Sequence, residues 1–152
     1  MPETTCGFTD SPGYLGCDGL ETHGPTLFVD IGFDAQYESN NRQGVPSLAA
    51  TQLWALVDTG ATESCIDNDL AIKLNLPVVD RRHVAGVGGL KEVNMYLAHI
   101  HVPTLAFTVY GAFAGVDLIA GGQRHYALIG RTFLRRFKMV YDGPTGNVTL
   151  SN

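Results

Sequence analysis

Leu53-Trp54-Ala55-Leu56-Val57-Asp58-Thr59-Gly60-Ala61 is the stretch on which the reading of this chain turns. Its first five residues form a short apolar run that ends at a turn signal, the pattern of a buried strand. The run delivers a carboxylate, Asp58, to the edge of a core. Thr59 sets a hydroxyl beside it, and Gly60 lets backbone come close to the carboxylate and to anything lying over it. An aspartate next to Thr and Gly is commonly no more than a turn cap. The meaning of Asp58 therefore depends on the rest of the sequence.

The chain has 152 residues, 45% hydrophobic and 16% charged, enough apolar material for a single core. Its 18 glycines are spread through short apolar runs, which predicts frequent turns between strands and a mostly-β fold. A formal net charge of -5 argues against nucleic acid as a partner, because phosphate binding needs a basic face. Arg81-Arg82 and Arg135-Arg136 are short enough to be solvated surface. No run reaches the length of a membrane span, and the first residues lack the charged-then-apolar order of a secretory signal. The expectation is a soluble protein with no membrane partner, in a cytoplasmic setting. Reduced thiols fit that setting: Cys65 reads as a small buried residue, and Cys6 and Cys17 lie in a glycine-rich segment.

Residues 1–24 carry glycine and proline with little periodicity and are expected to form an irregular arm or leader ahead of one domain, 25–152. Thr26 to Phe33 alternates, with Leu27, Val29, Ile31 and Phe33 on one face, and Asp30 opposite. A polar loop from Gln36 to Pro46 joins it to the Asp58 strand as a long hairpin. Asp67 or Asn68 can cap a short helix through Leu74 that Pro77 ends. Strands flank Gly86-Val87-Gly88-Gly89, a mobile hairpin tip. Further on come a strand over Leu105–Tyr110, a loop from Gly111 to Gly122, a buried strand Ala127-Leu128-Ile129, and one or two helical turns within Thr132–Phe137. Lys138–Asp142 and Asn147–Leu150 flank a turn and predict a terminal hairpin. His99 and His101 share a strand face as exposed residues, and the five histidines show no metal-ligand spacing.

Three of these pieces, in order, resemble the retropepsin family of retroviral-type aspartic proteases, which includes retrotransposon proteases and domains of DNA-damage-inducible proteins. They are Leu56-Val57-Asp58-Thr59-Gly60-Ala61, Ala85-Gly86-Val87-Gly88-Gly89, and Leu128-Ile129-Gly130-Arg131 followed by a short helix. The resemblance spans about residues 26 to 150. It implies a closed or partly open β-barrel with one or two short helices, active as a two-fold homodimer.

Carried onto this chain, the resemblance makes Asp58 the catalytic carboxylate and Thr59 a hydroxyl that bonds across the dimer. Gly60 admits substrate, and Ala61 is the small residue beside the acid. Ala85 to Gly89 form a flap over the peptide, Leu128 lines a side-chain pocket, and Ile129, Gly130 and Arg131 lie under the active-site loop. The implied activity is endopeptidase cleavage of extended polypeptide, with water activated between two Asp58 carboxylates and with no cofactor or metal. The alternative is a catalytically silent barrel that binds peptide or serves for dimerisation. Retroviral members carry a second acid that pairs with the arginine after the buried glycine. Here Thr62 stands at that place with Glu63 next, so Arg131 is expected to meet Glu63 or another group. The segment from Pro103 to Tyr126 is also longer than in compact viral members.

Overall fold

A computed structural model describes residues 2–37 and 44–152. In chain order the elements are β1 (Glu3–Thr5), α1 (Gly16–His23), β2 (Thr26–Gly32), β3 (Ala50–Val57), β4 (Cys65–Asp67) and α2 (Asn68–Lys73). There follow β5 (Val78–Gly86), β6 (Gly89–Val102), a 3-10 turn (Pro103–Leu105), β7 (Phe107–Val116), β8 (Ala127–Ile129), α3 (Arg131–Leu134), β9 (Lys138–Asp142) and β10 (Asn147–Ser151). Part of the expected Gln36–Pro46 loop, residues 38–43, falls outside the described residues.

Six strands run side by side in the order β2-β3-β8-β4-β7-β6, and β6 pairs back onto β2, which closes a barrel and leaves β5 outside the ring. The closing seam is Asp30↔His101, Ile31↔Ile100 and Gly32↔His99. Closure removes the open edges that a flat sheet of this composition would expose. A second, three-stranded sheet has the order β1-β10-β9. The alternation of β2 holds as expected for Leu27, Val29 and Ile31, all buried, whereas Phe33 lies past the strand end and is exposed. Asp30 on the opposite face is taken up by a bulge, accepting the Gln52 N–H at 3.0 Å. Val57, Ile66 and Ile129 line the interior with these residues. Burying each such side chain fully is worth about 1.5–3 kcal/mol.

The helix expected after the Asp58 loop is α2, and Asp67 is its N-cap, accepting the Leu70 N–H at 3.1 Å through Oδ2. The other oxygen of this buried carboxylate accepts the N–H groups of Leu118 and Ile119, which ties the helix start to the segment after β7. The terminal hairpin is present as β9 and β10.

Three expectations are corrected. Residues 1–24 are not irregular throughout: β1 pairs with β10, and α1 places Leu20 in the core. The start of α1 is held by Asp10, whose carboxylate accepts the Gly16 N–H at 2.7 Å, while Leu15 at the cap position offers no side-chain bond. Residues 111–116 are strand, not loop. Gly115 makes room within this strand for the ring of Tyr96, with which a side chain there would collide. His99 and His101 are buried, because the second half of β6 is covered on both faces. His99 stacks between Tyr110 and Phe33, and His101 shares a hydrogen bond of 2.8 Å with the Thr108 hydroxyl.

Candidate active site

Two parallel strands build the site. β3 and β8 pair as Ala55↔Ala127, Leu56↔Leu128 and Val57↔Ile129, so both end at the same side of the barrel. The first delivers Asp58 and the second delivers Gly130 and Arg131. The Asp58 N–H donates to the Ile129 carbonyl at 2.9 Å, which locks the two exits together. Beyond them, the Arg131 N–H donates to the Ala61 carbonyl and the Thr132 N–H to the Thr62 carbonyl, each at 2.9 Å.

Asp58 is half-buried at the tip of this floor. Its Oδ1 accepts the Gly60 N–H at 2.9 Å, an Asx-type turn that fixes the carboxylate. Among the described residues no donor reaches Oδ2. A side chain at Gly60 would sit 3.1 Å from Oδ1, so the glycine leaves room for the carboxylate itself. Thr59 is exposed beside it. Gly130 is buried, and a Cβ there would meet the Glu63 carbonyl at 2.6 Å and the Ala61 carbonyl oxygen at 3.0 Å. Its N–H donates to the Ser64 hydroxyl at 3.0 Å. Ser64 was not singled out in the sequence, although a hydroxyl six residues after the carboxylate is the only hint available.

Arg131 reaches across the floor. Its guanidinium donates to the Thr59 carbonyl at 2.8 Å and to the Thr62 hydroxyl at 2.9 Å. It forms no ion pair with Glu63 among the described residues. Of the two partners left open for Arg131, Glu63 or another group, the second holds: it meets the Thr62 hydroxyl and the Thr59 carbonyl. Leu128 is half-buried between Leu56 and Cys65, its partners across the sheet. Burial pushes the Cys65 thiol up to about 11; a backbone hydrogen bond from the Leu128 position opposes this, and the charge of Asp58 adds to it. At neutral pH Cys65 is therefore a protonated thiol and no nucleophile.

The glycine cluster forms a separate piece. β5 and β6 pair down to Gly86↔Gly89, with Val87 and Gly88 at the turn, and Val87 and Leu90 are exposed. Gly89 has φ +95°, a backbone shape that other residues resist. Under the hairpin lies a cavity of about 230 Å³ lined by Val84, Val93 and Val116, with Lys91 and Asp117 at its rim. These two form an ion pair at 2.6 Å that links the hairpin to the segment after β7. A larger cavity of about 630 Å³ lies between β7 and α3, and Asp58 lines neither. Among the described residues no group of His, Cys, Asp or Glu is arranged to hold a metal, and no helix is long and apolar enough to cross a membrane.

A β-barrel with an Asp-Thr-Gly floor, a buried glycine beneath it and a glycine-tipped hairpin defines a retropepsin-like aspartic protease fold. The family model described as retroviral aspartyl protease matches residues 22–140, and the chain belongs to that family. Among solved structures it is similar to EIAV protease complexed with the inhibitor HBY-793, at 20% identity and TM-score 0.48, over 74% of this chain and 86% of that one. No curated protein matches the sequence.

Proposed function

We propose that this chain is an aspartic endopeptidase acting on extended polypeptides as a two-fold homodimer, with residues 25–152 as the protease domain. The observation that carries the reading is the setting of Asp58: a carboxylate fixed through Oδ1 at a half-exposed strand end, on a floor held by Ser64, Gly130 and Arg131. A turn cap has no need of such a platform. Hydrolysis by water needs both a base and an acid, and one floor supplies one carboxylate. A second copy supplies the other.

Two carboxylates facing each other hold one proton between them, because ionising both is costly. The ionised oxygen takes a proton from a water as that water attacks the scissile carbonyl. The protonated partner hydrogen-bonds the carbonyl oxygen, and no covalent acyl-enzyme forms. Thr59, exposed at the floor, bonds across the pair of loops. The Ala85–Gly89 hairpin closes over the peptide and offers backbone groups for strand-like pairing, while Leu128 helps select a side chain. The β9–β10 hairpin, with its exposed Val140 and Tyr141, is the surface along which the copies join.

The test is a peptide-library digest read by mass spectrometry from pH 4 to 7.5, with Asp58→Asn beside the native protein. Cleavage is expected to fall roughly 10³-fold or more in the variant, with thermal stability little changed. Specific activity is expected to fall on dilution in step with dissociation seen by sedimentation. Equal cleavage by both proteins overturns the reading.

A further inference from the structure

His125 is buried, 3% exposed, just ahead of β8, and it touches neither the Asp58 floor nor the hairpin by any hydrogen bond. Its Nε2 lies 2.9 Å from the Thr26 hydroxyl, and that hydroxyl donates its single proton to the Gly24 carbonyl at 3.0 Å. Thr26 must then accept, so Nε2 carries the hydrogen and Nδ1 is a bare lone pair. Among the described residues Nδ1 is buried with no hydrogen-bond partner. The opposite tautomer is worse still, because it buries an unpaired N–H.

Among the described residues no acceptor stands where a proton on Nδ1 would point. The ring of Trp54 from β3 lies 5.7 Å away, and Trp54 also meets His23, the last residue of α1, at 5.5 Å. The titratable group whose charge bears on His125 is thus another imidazole, with Trp54 in contact with both rings. β2 contributes Thr26; Arg124 and Tyr126 flank it in sequence. Asp18 and Glu21 of α1 are exposed and do not perturb it. Burial first, and the charge of His23 second, hold its titration below the ordinary imidazole value of 6.5. The closed arrangement is therefore fully stable above that value and weakens as pH falls beneath it, since the open form binds the proton more readily.

His23 belongs to α1, and the N-terminal segment carrying it is otherwise held by backbone bonds from Cys6 to Val148 of β10, from Phe8 to Gly146 in the turn before β10 and from Thr26 back to Cys6, by burial of Leu20 and by β1 on β10. We propose that the Thr26–His125–Trp54–His23 cluster is an acid-sensitive latch that holds the N-terminal segment, residues 3–24, on the barrel. Protonation of His125 leaves a buried N–H⁺ at Nδ1 without an acceptor, within the electrostatic reach of a second imidazole. Release of α1 lets water reach it, and it loosens β1 from the edge of β10.

The protein contains a single tryptophan, so Trp54 fluorescence reads the cluster directly and requires no activity. Between pH 7.5 and 5, emission is expected to follow a titration, while exchange of amide hydrogens in α1 and β1, corrected for intrinsic rates, quickens roughly tenfold or more relative to β8. His125→Gln is expected to abolish both changes. His23→Gln, which removes the opposing imidazole, should shrink them and covers the case in which the first variant does not fold. Unaltered protection of α1 at pH 5, or an acid response in His23→Gln as large as in the native protein, overturns the latch whether or not the chain cleaves peptides.

Discussion

The floor and the hairpin are both made with glycine, for opposite reasons. At the floor, Gly130 is closed in by the carbonyls of Ala61 and Glu63, and its N–H is spent on Ser64. At the hairpin, Gly86, Gly88 and Gly89 have nothing within 4 Å of where a side chain would begin. Gly130 is required by packing, Gly89 by its backbone shape, and Gly86 and Gly88 are crowded by nothing. Similar composition thus gives a rigid platform for the carboxylate and a compliant arm above the cavity.

The contrast is open to direct attack. Gly130→Ala should be the most damaging change, costing about 3 kcal/mol or more in urea unfolding, because backbone carbonyls must shift to admit the methyl. Ser64→Ala should cost about 1–3 kcal/mol by leaving the buried Gly130 N–H without an acceptor, seen as a lowered unfolding midpoint at unchanged slope.

Acid should separate the two regions as well. Burial holds His99, His101 and His125 below the ordinary value of 6.5, opposed by Asp34 for the first and Asp30 for the second. The unfolded chain then takes up protons first, so these histidines let barrel stability decline as pH falls below about 6.5, as denaturation at stepped pH between about 8 and 5 will show. Breaking the exposed Lys91–Asp117 pair with Lys91→Ala should cost less than about 1 kcal/mol globally. Amide exchange should nonetheless quicken in the hairpin, an effect that high salt on the native protein reproduces. Gly88→Ala should change stability by no more than about 0.5 kcal/mol. If it costs as much as Gly130→Ala, the division between platform and arm is wrong.

The sequence showed those parts in which local and tertiary preferences agree. The Leu53–Val57 strand, the Asp67 cap, the Gly86–Gly89 turn, the Ala127–Ile129 strand and the terminal hairpin all carry their own punctuation, and each lies where expected. It hid those parts that depend on distant partners. α1 has glycines at positions 16 and 19 and no cap of its own, so its helical state rests on Asp10 and on burial of Leu20. The Gly111–Val116 stretch looked like a loop because of its glycines, yet Gly115 is small to admit the ring of Tyr96, 19 positions earlier. At the site, Asp58 and Gly130 were legible as a pair of motifs. The hydroxyls of Ser64 and Thr62 were not, because a serine or threonine gains its meaning only from the group it meets.

β6 is a single beam. Its 14 residues pair with β5 at one end and with the β2 seam at the other, without an intervening loop. The arm therefore has no pivot of its own at the wall: raising its tip twists a ladder whose far end fastens the barrel shut. Stiffness at His99–His101 and reach at Val87 are set by the same rod, so a substitution that slackens the seam is felt at the tip.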